Sequence, residues 1–297
     1  MNFLKNPHFR LFAGAATISF SPVFVNLVNV PPTTSGFYRV LFGGAALAIF
    51  LIVTGRKLAF TRAAWIAVVG SAIFFALDLW FWHRSILYIG PGLSTLLANM
   101  QVFFMMAAGI VFLRQYPSVR QLVAIPLAIV GLAMVVGIEW SELDAGYKAG
   151  VLLGFLTAIS YAGYMLFMRQ ARLHASNAVP IREIAVMSLL VSVMLGVAAL
   201  VEGESLAIPT TADAVWLLAY GLLCHAVGLM FIASSLAKVT TTEVGIALLL
   251  QPSLSFIWDI LFFGRPTNAI EGMGAVIALL AIFLGSARRS QKVQSAS

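Results

Sequence analysis

Ala64-Trp65-Ile66-Ala67-Val68-Val69-Gly70 returns later in the chain as Val215-Trp216-Leu217-Leu218-Ala219-Tyr220-Gly221, at an offset of 151 residues. The same offset pairs Gln101 with Pro252 and Arg114 with Arg265. Further upstream, Thr17-Ile18-Ser19-Phe20 matches Ala158-Ile159-Ser160-Tyr161 at an offset of 141. The chain is therefore two weakly similar halves, which we divide as 1–144 and 145–297. Internal repeats of this kind in an apolar chain point to a transporter whose substrate site lies at the repeat interface, near the bilayer midplane.

Composition agrees. Of the 297 residues 61% are hydrophobic and only 10% charged, against roughly 25% charged in soluble domains. A membrane crossing needs about 20 apolar residues. Ten such segments can be marked, at 11–30, 33–54, 63–84, 92–113, 118–138, 148–169, 181–201, 212–235, 242–263 and 270–286. The breaks between them carry turn residues, such as Pro31-Pro32, Gly90-Pro91-Gly92 and Gly264-Arg265-Pro266. Lipid offers no partner for an unpaired backbone, so all ten are expected to be helices in an all-α membrane protein. The first segment is too long for the apolar core of a signal peptide and reads as an uncleaved helix.

The net charge of +7 does not indicate nucleic acid, because the basic residues are scattered through short gaps between apolar runs. With the N-terminus placed in the cytoplasm, the inner gaps hold fourteen of them: Lys5, Arg10, Arg56, Lys57, Arg62, Arg114, Arg120, Arg169, Arg172, Arg182, Lys238, Arg288, Arg289 and Lys292. The outer gaps hold three, Arg84, Lys148 and Arg265, with the acidic Glu139, Glu142, Asp144, Glu202, Glu204 and Asp213. That bias predicts both termini in the cytoplasm of an inner-membrane protein. Five crossings per half is odd, so the halves have inverted topology, from which alternating access arises by rocking one against the other.

Several motifs resemble the drug/metabolite transporter superfamily, specifically its EamA-type exporters. Phe37-Tyr38-Arg39-Val40-Leu41-Phe42 is similar to that family's aromatic–arginine motif in the second span. Leu249-Leu250-Gln251-Pro252, followed by Phe262-Phe263-Gly264-Arg265, is similar to its ninth span, and Gly150 to Arg169 to the opening span of its second repeat. The resemblance covers nearly the whole chain. It departs where Arg114 and Arg265 replace the expected glutamates and Gln101 replaces a proline. It implies transport, usually export, of substrates ranging over amino acids, nucleotide sugars, drugs and other metabolites.

Buried ionisable groups are the first candidates for function, since each costs about 2.5–3.5 kcal/mol at the centre of a membrane helix. Arg39, Asp78 and Asp259 are the clearest, and the predicted helix ends place all three at similar depth in the outer half. They read either as a structural ion pair, Arg39 neutralising one aspartate, or as an outer gate or proton-coupling site. Span nine carries Glu243, Ala247, Gln251, Ser255 and Asp259 at every fourth residue, hence on one face. That stripe is either a tight seam or a cavity wall. Candidate substrate-binding residues elsewhere are Ser19 in span one, Trp82 in span three, Asn99 and Gln101 in span four, and Ser160, Tyr161 and Tyr164 in span six. His225 in span eight is either a satisfied neutral histidine or a cavity residue. His83 and Arg84 read as interfacial anchors.

No phosphate-cradling loop, zinc spacing or nucleophile elbow occurs, so no cofactor or metal is expected. The lone Cys224 reads as packing. The expected partners are a small-molecule substrate, membrane lipid and, as a candidate coupling ion, the proton; monomer and homodimer both remain open. The sequence thus describes a secondary exporter of amino acids or amphipathic compounds. The alternatives are an uncoupled facilitator of the same fold and an intramembrane aspartyl protease or other membrane enzyme. A protease would use Asp78 and Asp259, although their flanks, Ala76-Leu77 and Ile257-Trp258, lack the usual motifs.

Overall fold

The computed structural model describes residues 6–56, 60–114, 116–137, 143–173, 180–235, 238–239 and 241–286. Its elements are α1 (Pro7–Ser19), α2 (Ser21–Leu27), α3 (Pro32–Val53), α4 (Arg62–Ala98), α5 (Gln101–Leu113), α6 (Val119–Val136), α7 (Ala145–Leu173), α8 (Ile181–Val201), α9 (Thr211–Ala219), a π-helical segment (Tyr220–Gly228), α10 (Leu229–Ser235), α11 (Thr241–Phe263) and α12 (Ala269–Ser286). Starts are set by local chemistry. The Asn6 side chain accepts from the amides of His8 and Phe9, Thr61 caps the amide of Ala64, and Ser118 with Gln121 forms a capping box.

Among the described residues nine helical stretches are long and apolar enough to cross a membrane. One of them, Arg62–Phe112, has 51 residues. Straight, it would run to about 75 Å, against a hydrocarbon core of about 30 Å. It folds back at Gly90, whose φ of +80° suits glycine and strains any residue with a Cβ. The stretch is therefore spans three and four, and the described residues make ten crossings. Span one is α1 with α2, span two α3, span five α6, span six α7, span seven α8, span eight α9 through α10, span nine α11 and span ten α12.

The bundle wears its apolar residues outside. Ile52, Val53, Phe112, Leu200 and Val201 are each more than 60% exposed, whereas Ser71, His83, Ser85, Ser94, Ser188, His225 and Ser255 are fully buried. That inversion fits a lipid surround, where apolar contact costs nothing and polar groups must find partners inside.

Packing follows the repeat. Span two packs on span seven and span five on span ten, each against its own counterpart. Span one packs on spans eight and nine as span six packs on spans three and four, and span two meets span eight as span seven meets span three. These principal contacts are each matched by the one obtained on exchanging the halves, as an inverted pseudo-twofold requires.

The two ends of the bundle differ in charge. At one end, Thr33 Oγ1 and Arg84 Nη2 donate to Glu202 at 2.6 and 2.7 Å, Thr34 N donates to Glu204 at 2.9 Å, and Asn29 N donates to Asp213 at 2.9 Å. At the other, His8 pairs with Glu243 at 2.8 Å and Arg182 with Glu183 at 3.2 Å, while Arg10 and Arg182 lie over Phe231 and Phe60. The acidic and basic gaps thus separate in space as the charge pattern predicts. Lys5, Lys57, Glu139, Glu142, Arg288, Arg289 and Lys292 lie outside the described residues.

One boundary is corrected. Span three does not end at residue 84 but continues through Arg84 to the turn at Gly90, because no helix breaker occurs earlier.

Candidate functional site

That longer helix moves Asp78 inward. It lies eleven residues before Ile89, about 16 Å at the helical rise. Asp259 instead accepts a 2.9 Å hydrogen bond from Gly92 N and so sits level with the turn between spans three and four. The three charged residues do not share one depth. The two aspartates are separated by about half a bilayer, which does not make a protease dyad.

Asp259 has its own partner. Arg265 Nη1 lies 3.5 Å from Asp259 Oδ2 and donates at 3.0 Å to the carbonyl of Ile89. The pair fastens the Gly90 turn to span nine. A Cβ at Gly90 would stand 2.9 Å from Asp259 Oδ2, so both the φ and the closeness of the carboxylate select glycine there. Asn26, Gly90, Pro91, Asp259, Phe263 and Arg265 line a cavity of about 400 Å³ open to the acidic end.

Arg39 therefore does not neutralise Asp259, and it makes no ion pair with Asp78 within 4.0 Å. Its Nη1 donates to Tyr220 Oη at 3.0 Å, and its guanidinium lies 5.0 Å from the Tyr220 ring and 5.5 Å from the Trp82 ring. Aromatic faces offer partial compensation for a desolvated cation. Asp78 is 5% exposed, feels the Arg39 charge and, among the described residues, accepts no side-chain hydrogen bond.

The hydrogen-bond directions around Arg39 are fixed by chemistry. The carbonyl of Leu79 can only accept, so His83 Nδ1, at 2.7 Å, carries the proton. His83 Nε2 is then an acceptor, and Tyr220, whose oxygen already accepts from Arg39, donates its hydroxyl proton to it at 3.3 Å. The chain Arg39–Tyr220–His83–Leu79 is complete and anchors one corner of the guanidinium. His83 is thus not an interfacial anchor: it is fully buried, while its neighbour Arg84 reaches the acidic end.

Span eight owes this arrangement to its π segment. Tyr220 and His225 are five residues apart, about 140° around an α-helix, but the i→i+5 bonding of a π turn stacks them on one face. Close passage of span two makes room for them. A Cβ on Gly43 would come within 2.6 Å of His225 Cδ2 and 2.8 Å of the Gly221 carbonyl. His225 Nε2 lies 2.7 Å from Ser188 Oγ, which donates to Ile184 O, so Nε2 is the donor and Nδ1 has no partner among the described residues.

Span six completes the cluster. Tyr164 packs 4.8 Å from Phe75, which also stacks on His225 at 6.0 Å, and Tyr161 meets Tyr164 edge-on at 5.2 Å. Both tyrosines lie within electrostatic reach of Asp78 and Arg39. Ser160 is buried beside them. The structure thus gathers Arg39, Asp78, Trp82, Tyr161, Tyr164 and His225 and adds three residues the sequence reading did not select: Tyr220, His83 and Phe75. The π turn hid Tyr220, and adjacency to Arg84 disguised His83.

The remaining candidates lie elsewhere. Ser255 Oγ donates at 3.0 Å to the carbonyl of Ser19, and Trp258 Nε1 donates at 3.0 Å to Ser19 Oγ. With fully buried Ala247, these make the span-nine stripe a seam against span one. Pro22 opens that seam by breaking span one at Phe20, which frees carbonyls there. Asn99 donates to Thr95 O at the break between α4 and α5, where Gln101 Oε1 is buried without a partner among the described residues. Gln251 is half-buried on span nine.

Two comparisons with known proteins bear on this arrangement. The EamA-like transporter family matches the chain twice, over residues 8–137 and 148–287. A protein of known crystal structure, 12% identical, aligns with a TM-score of 0.66 over 94% of each chain, a likeness of fold. A search of curated proteins finds no match.

Proposed function

The chain belongs to the EamA-like transporter family, membrane transporters of the drug/metabolite transporter superfamily, and on that premise we propose that it exports small metabolites by alternating access. The substrates on this reading are amino acids or amphipathic compounds. The central aromatic cluster is their site, and rocking of residues 1–144 against 145–297 exposes it alternately to the two sides.

The observation that carries the reading is the composition of that cluster. Arg39, Asp78 and Trp82 come from the first half, and Tyr161, Tyr164 and Tyr220 from the second. A site built across the repeat interface changes shape whenever the halves move, which is what alternating access needs. The cation and the carboxylate, held close but unpaired, suit a polar substrate end, and the rings suit an apolar one.

The proton is the coupling ion of this proposal and Asp78 its carrier, because Asp259 is committed to Arg265. An uncoupled facilitator is the second reading, with Asp78 structural. The positive-inside pattern supports a cytoplasmic location for both termini in an inner membrane. Labelling from outside at a cysteine placed at Gly55, but not at Glu204, would reverse that orientation.

Counterflow in proteoliposomes tests the function. We expect the purified protein to exchange at least one labelled amino acid or amphipathic metabolite at equal pH, saturably. Failure across a broad panel, with protein that is folded by its melting curve, would remove the proposal.

A further inference from the structure

The guanidinium of Arg39 has two edges and the protein uses one. Nη1 donates to Tyr220, whereas among the described residues Nε is buried without a partner and Nη2 makes no hydrogen bond. A buried charged donor left unpaired is costly, and each such group calls for an explanation. Asp78 supplies a nearby opposite charge but does not close on the fork. Nε–H and Nη2–H point the same way from a planar group, spaced to match the two oxygens of a carboxylate.

Resting on the transport reading above, we propose that this Nε–Nη2 edge is the substrate anchor, and that the protein selects small amphipathic molecules by a free carboxylate, which Arg39 grips in a bidentate pair. The Arg39–Tyr220–His83–Leu79 chain fixes the guanidinium plane, since each donor in it has one acceptor. The rings of Trp82, Tyr161 and Tyr164 then receive the apolar remainder of the molecule. Because Tyr220 belongs to the other half of the protein, relative movement of the halves would loosen the anchor and so link release to the access change. Lysine at position 39 would keep the charge and lose the fork.

The test works from the ligand side as well as the protein side. Phenylalanine and indole-3-acetate are compared with their primary amides, phenylalaninamide and indole-3-acetamide, as competitors in counterflow and as ligands in thermal-shift titrations of the wild-type protein. The acids are expected to bind and to compete at least about tenfold better than their amides, the worth of a charge-assisted bidentate pair. Arg39→Lys should erase that preference, and Tyr220→Phe should weaken it with the Arg39 charge intact. Amides that bind and exchange as well as the acids overturn the anchor even if the arginine variants fail to fold. Transport restricted to molecules without a carboxylate overturns the anchor and leaves the transport reading standing. If the acids raise the melting temperature in an Arg39-dependent way but nothing moves, the anchor holds and the transport reading falls. If neither acids nor amides bind or move and the broad panel fails as well, both fall.

Discussion

Two arginine–aspartate sets sit in this bundle, and they are built oppositely. Arg265 and Asp259, at the acidic end, touch at 3.5 Å, and each is further tied to the turn between spans three and four. Arg39 and Asp78, near the centre, come from neighbouring spans and do not touch. Burying a charge is expensive anywhere in a membrane, and direct pairing is the usual remedy. The outer set takes it and so behaves as a fastener. The inner set forgoes it and relies on Tyr220, on the Trp82 ring and on the Arg39–Asp78 attraction across a gap. Among the described residues the sets share an unpartnered arginine Nε, but they differ at the carboxylate: Asp259 accepts from Gly92 N and Arg265 Nη1, whereas Asp78 keeps its accepting capacity unused, which is what a binding or proton-carrying site requires.

The largest expected effect separates the two aspartates by function. Asp78→Asn should lower proton-gradient-driven flux by an order of magnitude or more, and by a much larger factor than it lowers counterflow at equal pH, since a neutral side chain cannot carry the coupled proton but keeps the shape of the site. Asp259→Asn should leave the response to the gradient intact. Flux with and without a pH difference across proteoliposomes reads both. If Asp259→Asn uncouples and Asp78→Asn does not, the contrast drawn here is inverted.

A smaller effect, on stability, probes the fastener. Arg265→Ala leaves the Asp259 carboxylate with only the Gly92 amide, and stranding a buried carboxylate costs about 1–3 kcal/mol. Adding Asp259→Asn should restore a good part of the loss, because the amide oxygen still accepts from Gly92 and no charge is orphaned. Thermal unfolding of the two single variants and the double in detergent closes the cycle. Strict additivity would mean that Arg265 acts through the Ile89 carbonyl and the Phe256 ring instead.

How much of this was legible in advance follows from what kind of signal each feature leaves. The ten spans and their inversion were legible, because apolar run length, turn residues and the Lys/Arg asymmetry are all local. So were Arg39, Asp78, Trp82, Tyr161 and Tyr164, since charge and aromatic residues stand out in an apolar helix. Depth was not, because it depends on where a helix ends, and span three runs past Arg84, a residue that resembles a boundary. Tyr220 was not, because helical-wheel reasoning assumes 3.6 residues per turn and the π segment breaks that rule. The stripe on span nine had the right face. What that face meets was settled by the break at Pro22, which places the span-one backbone against Ser255. No pattern within span nine records its neighbour.

The smallest effect belongs to a third charged group, which marks how little an exposed pair contributes beside the two buried sets. Glu202, at the acidic end, binds Arg84, Thr33 and Trp80. Partial burial alone would raise its pKa, but the donation from the Thr33 hydroxyl, the Trp80 indole and Arg84 outweighs this and holds the carboxyl below its ordinary 4.5. A carboxylate depressed in the folded state stabilises the fold fully above its ordinary value and loses that contribution as pH falls through the lower, folded value. Acidification from neutrality should therefore leave this contribution untouched down to about pH 5 and remove it only below. Because the side chain is largely solvated, the amount is under about 1 kcal/mol. Melting curves of the wild type and Glu202→Gln, run between neutral pH and the acid limit, should converge as pH drops. Curves that stay parallel throughout would show that the carboxylate charge contributes nothing, and that Glu202 serves only as a hydrogen-bond acceptor for Thr33 and Trp80.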